Sequence, residues 1–228
     1  GSPYGEECRS CWTVPEDYNL VGIDASGLEL RMLAHYLNDE GYTNEILNGD
    51  IHTANQKLAG LESRNQAKTF IYALLYGAGD AKLGSVAGRG REAGKKLRQS
   101  FFDNLPSFKA LTGRVQREAK SGFVKALDGR KLTVRSDHAA LNTLLQGAGA
   151  IVMKQALIIL DQKIKKHGWD AKFVANVHDE WQIECHVDDA VDVGKAGVQA
   201  IREAGCILNL NCPLDGEYKV GDNWSETH

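Results

Sequence analysis

Arg64, Lys68, Tyr72 and Tyr76 recur at a spacing of four. On a helix each step of four drifts by ~40°, so the four share an arc of ~120°, while Ala67, Phe70, Ile71 and Leu74 collect on the roughly opposite side. One face is for burial and the other offers cations and aromatic rings. Two cations one turn apart repel, and neither has a carboxylate at i+4, so the pair is favourable only beside an anion. A planar guanidinium fork with an ammonium point charge suits a polyphosphate. The two tyrosine rings can then pack on a sugar or a base. The competing reading is an amphipathic helix with incidental Arg and Lys, and two tyrosines in register weigh against it.

Asp24 and Asp179 form a second set, each where an apolar run ends. Carboxylates brought together repel unless cations bridge them, and Mg²⁺ prefers a few carboxylates with phosphate oxygens and water. Two such ions stabilise the attacking and leaving oxygens of a phosphoryl displacement. Taken singly, a strand-end or turn aspartate needs no function. Glu29 has two compatible readings, because Ser26 and Glu29 have the S-x-x-E spacing of a helix capping box. Asn142 and Gln146, one helical turn apart, can donate to purine N3 or pyrimidine O2, minor-groove acceptors shared by every base pair. Two ordinary surface residues are the alternative there.

Three other patterns carry no chemistry. Gly88 to Ala93 fits G-x-G-x-x-A, but no strand precedes it and no acidic residue follows at the distance a dinucleotide site requires. Cys8 and Cys11 have C-x-x-C spacing without a second pair, whereas a structural zinc needs four ligands. His178 lacks the nucleophile elbow of a serine hydrolase.

The elements that must position these residues follow from periodicity. The first twenty residues, with Pro3, Gly5 and Pro15, read as irregular. Leu20 to Ile23 reads as a buried strand ending at Asp24, and Leu28 to Leu37 as a helix. A helix resumes near Asp50, another spans Ser63 to Tyr76, and a basic, mostly helical stretch runs from Ala81 to Ser121. Asp128-Gly129 joins a hairpin of Phe123 to Leu127 with Lys131 to Val134. Ser136 or Asp137 caps a long helix to about Lys166, stopped by Gly168. Phe173 to Val177 and Trp181 to Cys185 alternate as a hairpin with His178-Asp179-Glu180 at its tip. One more helix and an extended end around Tyr218 to Val220 complete the chain.

Composition bounds the rest. The chain has 228 residues, 43% hydrophobic and 25% charged, which suits a globular fold and excludes disordered and collagenous classes. The five cysteines are odd in number, and Cys185, Cys206 and Cys212 lie in apolar surroundings, so reduced thiols are expected. The longest apolar run, Ala156 to Leu160, is too short to span a bilayer, and the expectation is a cytoplasmic protein with no membrane partner. The net charge of −3 conceals two unequal parts: Leu61 to Arg135 holds 16 Lys/Arg and 6 Asp/Glu, a net of +10, against −13 elsewhere. A basic segment in an acidic chain points to a polyanion partner, leaving acidic residues free to hold cations.

Taken together, DASGLELR (Asp24 to Arg31), RNQAKTFIYALLYGAG (Arg64 to Gly79) and VHDE (Val177 to Glu180) resemble, in order, motifs A, B and C of the family A DNA polymerases. SPYGEECR, NGDIHT, LDGRK, HAALNTLLQ and the terminal Gly-x-Asn-Trp add likeness to the replicative enzymes of short-tailed phages. The resemblance covers nearly the whole chain. It implies an α+β fold, an antiparallel-sheet palm with an inserted helical fingers lobe, divided as residues 1–45 palm, 46–135 fingers and 136–228 palm. It implies two Mg²⁺ ions held by Asp24, the Ala25 carbonyl and Asp179. By the same resemblance Arg64, Lys68 and His52 hold the incoming triphosphate, and Lys68 protonates the departing pyrophosphate. Tyr72 lies under the deoxyribose, where tyrosine rather than phenylalanine goes with acceptance of dideoxynucleotides. Glu29 closes the space of a ribose 2′-hydroxyl, Tyr76 guards the templating position, and Asn142, Gln146 and His178 contact the primer-template.

The implied activity is template-directed transfer from a dNTP to a primer 3′-hydroxyl with release of pyrophosphate. Positioning and charge stabilisation carry most of the catalysis, and the basic helix closes over a correct base pair. The implied partners are primer-template DNA and dNTPs. The family's thumb, exonuclease domain and upstream arginine-containing palm segment have no counterpart in this sequence, so a second polypeptide supplying thumb and exonuclease is a further expectation. A single-subunit RNA polymerase is the rival enzyme, disfavoured by Glu29 and by Glu180 after His178-Asp179. A DNA-binding subunit active only with a partner is the rival from another class.

Overall fold

The computed structural model describes residues 3–228. In chain order the elements are helix α1 (Gly5–Ser10), strand β1 (Tyr18–Ala25), helices α2 (Leu28–Leu37), α3 (Glu40–Asn48), α4 (Ile51–Ala59), α5 (Arg64–Leu75), α6 (Asp80–Val86), α7 (Arg91–Asn104) and α8 (Pro106–Ala119), strands β2 (Phe123–Lys125) and β3 (Lys131–Thr133), a 3-10 turn at Asp137–Ala139, helix α9 (Ala140–His167), strands β4 (Ala171–Val177) and β5 (Glu180–His186), helix α10 (Ala190–Ile207), strand β6 (Gly216–Gly221) and helix α11 (Trp224–Thr227). They form two compact units, Gly1–Leu28 with Gly149–His228, and Glu29–Ala148. The fold is α+β, with a helical unit inserted in sequence between the two parts of a sheet unit. The divisions at 28/29 and 148/149 differ from the expected 45/46 and 135/136 because both fall inside helices, where no loop composition marks them.

The sheet unit is built on four antiparallel strands in the order β4-β5-β1-β6. Central β1 is buried from Leu20 to Ile23 and alternates in use: Ile23 meets α10, whereas Gly22 meets α11. Helix α10 approaches closely because its buried side includes Gly194 and Gly197; a methyl at Gly197 would overlap Ile23 and one at Gly194 would overlap Tyr218. On the other face a methyl at Gly22 would overlap the Thr227 carbonyl and lie 2.8 Å from the Gln182 amide nitrogen. Glycine is therefore what seats the C-terminal helix.

In the helical unit, Ser63 caps α5 and Gln66 closes a reciprocal capping box. Ala67, Phe70, Ile71 and Leu74, the stripe expected from spacing, are buried, and Leu75 is buried with them. Edge-on rings link this core: Phe70 to Phe101 at 5.9 Å and Phe101 to Phe108 at 5.2 Å. Pro106 starts α8 at a position that needs no amide donor.

Several expectations change. The first twenty residues contain α1, six residues with none buried and hence no apolar period to detect. Helix α3 precedes the one expected near Asp50 and buries only Tyr42, although Asp39 caps it. The hairpin tip is two residues, His178-Asp179, and Glu180 belongs to β5, paired with Val177. All five cysteines are free, but Cys206 is exposed rather than buried; Cys185 and Cys212 are buried. Helix α9 is long and apolar enough to cross a membrane by length and composition, contrary to the short-run expectation. Its buried residues Leu141, Leu145, Ala148, Val152, Ala156 and Ile159 recur at the helical period, the pattern of a core helix.

Candidate active site

In the sheet unit, β1 delivers Asp24 and the β4–β5 turn delivers Asp179. Asp24 pairs across the ladder with Glu180, and the next amide, Ala25 N–H, donates to the Asp179 carbonyl at 2.9 Å. The two aspartates are thus fixed on adjoining backbone positions although 155 residues separate them. His178 holds φ 53, the left-handed region, as the first residue of the turn. It is exposed, while Asp24 and Asp179 are half-buried.

Electrostatics mark this corner. Burial, then the charges of Asp179, Glu180 and Glu217, push the Asp24 carboxyl up to about 6; His228 acts in the opposite direction. Glu180 is turned to a different task. It is 7% exposed and accepts from Trp224 Nε1 at 2.7 Å and from Gln182 Nε2 at 2.6 Å, with His228 Nδ1 at 2.6 Å from its other oxygen. Thr227 Oγ1 donates to the Gln182 carbonyl oxygen at 2.7 Å, and Lys219 Nζ to the His228 carbonyl at 2.8 Å. The end of the chain therefore clasps the strand that follows Asp179. Sequence reasoning missed this clasp; the only signal was Asn223, which caps α11.

In the helical unit, Arg64, Lys68 and Tyr76 are exposed and Tyr72 is half-buried along one side of α5. His52, at the start of α4, lies with its ring centroid 6.3 Å from that of Tyr72. Burial, then the charges of Arg64 and Lys68, lower its pKa, with Asp50 acting in the opposite direction, which favours the uncharged imidazole. His52 Nδ1 is buried with no hydrogen-bond partner among the described residues. Arg64 does have a carboxylate, which the i+4 reasoning could not see: Nε donates to Asp50 Oδ2 at 2.6 Å. Asp50 also caps α4 through the His52 amide, and Arg64 holds its carboxyl well below the usual range. The pair sets the guanidinium at the N-terminus of α4.

Glu29, Tyr76 and Gln146 come together in the same unit. The Tyr76 hydroxyl donates to Glu29 Oε2 at 3.1 Å and Gln146 Nε2 to Oε1 at 3.4 Å. Asn142 lies one turn before Gln146 on α9, its Oδ1 buried with no partner among the described residues. Each unit thus gathers a distinct half of the residues singled out: hard oxygen donors on the sheet, cations, rings and a polar triad on the helices.

These motifs sit in a chain that matches "DNA polymerase family A" over residues 2–226. The chain belongs to that family. It is 45% identical over 260 residues to the "DNA-directed DNA polymerase" of Enterobacteria phage T3 and equally to that of Escherichia phage T7, covering 100% of this chain and 37% of each relative. The enzyme of the same name from Escherichia phage Phieco32 is 41% identical over 91% of this chain. This family A chain therefore spans well under half the length of those relatives. Its fold matches the POL domain of Pol1 from M. smegmatis, solved in complex with DNA primer-template and dNTP, with a TM-score of 0.87 over 99% of this chain, 43% of that one, at 24% identity.

Proposed function

We propose that the chain carries out the nucleotidyl transfer of a DNA-directed DNA polymerase, joining a dNTP to a primer 3′-hydroxyl under template direction and releasing pyrophosphate. One observation carries the reading: Asp24 and Asp179 stand on adjoining backbone positions at the end of a central strand, in a family A chain. The names of the phage relatives and the DNA and dNTP bound by the M. smegmatis domain support it.

The donor set fits divalent magnesium. Its atoms are hard oxygens, two carboxylates and a backbone carbonyl, and burial, then the neighbouring carboxylate charges, raise Asp24, so a divalent cation would be favoured there. Two Mg²⁺ ions, held by Asp24, the Ala25 carbonyl and Asp179, would activate the attacking hydroxyl and neutralise charge on the reacting phosphates. The other residues bind and orient. Arg64 and Lys68 take the triphosphate beside His52, and Lys68 is the proton source for the departing pyrophosphate. Tyr72 supports the sugar. Glu29, steadied by Tyr76 and Gln146, fills the space of a 2′-hydroxyl. Asn142, Gln146 and His178 bind primer-template, with Tyr76 at the templating position.

Primer extension with Mg²⁺ and single dNTPs on four templates tests this. The expected result is incorporation of the complementary nucleotide only. Salt-sensitive DNA binding without incorporation would favour a second reading, a polymerase-fold chain that binds DNA and is active only with a partner polypeptide. Binding of neither DNA nor dNTP would overturn both.

A further inference from the structure

We propose that the sheet unit carries a second nucleotide site in the cavity bounded by the end of α9, by α10 and by the start of β6, whose lining includes neither Asp24 nor Asp179, although Glu217 both lines it and pairs with Asp24 across the β1–β6 ladder. The cavity is open to solvent, with a volume of about 760 Å³, a size within the ~300–1,000 Å³ of small-ligand sites. Its charge runs against that of its surroundings. Residues 136–228 contain 8 Lys/Arg and 14 Asp/Glu. Four of those eight cations, Lys163, Lys166, Lys195 and Arg202, line this one cavity, where Glu217 is the lining carboxylate.

Clustered cations repel, and the pairs nearby relieve only half of them. Lys163 is tied to Glu203 at 2.9 Å and Arg202 to Asp215 at 2.8 Å, which fixes their stems along the wall. Lys166 and Lys195 have no carboxylate partner among the described residues. The helix dipole accounts for Lys166 in the last turn of α9, but not for Lys195 within α10. Two ammonium groups facing one cavity suit a phosphate chain.

The rings supply the other half of the ligand. His167 and Trp169 stack at 4.6 Å with 14° between planes, and both line the cavity. Tyr218 lines it too, held against α10 by the missing side chain of Gly194. Preformed aromatic faces beside phosphate-binding cations match a nucleoside phosphate, whether free or as a unit of a single strand. Inorganic phosphate would leave the rings unused.

Calorimetric titration of the whole chain in EDTA tests the site, with Arg64→Ala and Lys68→Ala present so that the proposed polymerase triphosphate site is removed. dTTP is expected to bind this protein, and adding Lys166→Ala with Lys195→Ala to weaken it about tenfold or more. Trp169→Ala is expected to weaken dTTP by a similar factor while changing tripolyphosphate little. A (dT)8 strand binding with the same variant pattern but tighter than dTTP identifies the strand as the natural source; dTTP binding tighter identifies the free nucleotide. Undiminished binding by the double lysine variant, equal affinity for tripolyphosphate and dTTP, or no dTTP binding at all overturns the proposal. dTTP binding by the parent that disappears with Arg64→Ala and Lys68→Ala alone overturns this second site and supports the polymerase reading, whereas binding by neither protein counts against both.

Discussion

The Tyr76 hydroxyl donates to the Glu29 carboxylate across 47 residues of sequence, at 3.1 Å, and Gln146 donates to the other oxygen. Three residues that sequence reasoning assigned to sugar, template and primer contacts are one hydrogen-bonded group. A change at one is therefore expected to move the function of the others. Glu29→Ala removes the bulk reserved for a 2′-hydroxyl, and incorporation of rNTP relative to dNTP should rise about tenfold or more. Tyr76→Phe keeps the ring and loses the donor, so a smaller rise is expected. Steady-state incorporation ratios check both.

Tyr72 tests a single hydroxyl. Tyr72→Phe leaves the ring beside His52 and should lower acceptance of dideoxynucleotides by about tenfold, the scale of one hydrogen bond to a charged group. Chain-termination ratios on one template measure it.

Asp24 gives a stability signature. Its folded pKa of about 6 lies above the ordinary aspartate value, so the folded state binds more protons than the unfolded one between those values. Stability from this group is complete below about pH 4 and is lost as pH rises through about 6. Asp24→Asn should therefore stabilise the metal-free protein at pH 8, by about 1 kcal/mol after allowance for solvent at a half-buried site. Mg²⁺ should raise the melting temperature of the parent and not of Asp24→Asn. Thermal melts with and without the ion decide this without any assay of synthesis.

The C-terminal clasp predicts a second stability effect. Trp224→Phe takes one donor from buried Glu180 and should cost about 1–3 kcal/mol. Gly22→Ala inserts a methyl into the Thr227 backbone and should cost about 1–3 kcal/mol by overpacking. Urea denaturation of both variants checks the values. A cost that appears only in Trp224→Phe would place the strain elsewhere.

How much was legible in the sequence varies with the range of the interaction. The α5 face was readable because helical period alone sets which residues are buried, and strand alternation gave β1 and the β4–β5 hairpin. Asp24 and Asp179 can each be singled out from the end of an apolar run, yet their adjacency depends on the β1–β5 ladder, which no local pattern encodes. The Arg64–Asp50 pair joins two helices, and the Glu180 clasp joins a strand to the last residue. Neither has a periodic signature. Helix α1 escaped for the opposite reason: with nothing buried, it leaves no apolar record. The unit divisions at 28/29 and 148/149 leave no local signal because continuous helices run through them.

The central claim is that Asp24 and Asp179 together support nucleotidyl transfer. Single-nucleotide extension of a labelled primer, with Mg²⁺ and the complementary dNTP, should proceed with the parent chain and fall by about a thousandfold or more in Asp179→Ala. Extension by Asp179→Ala at the parent rate would contradict the account.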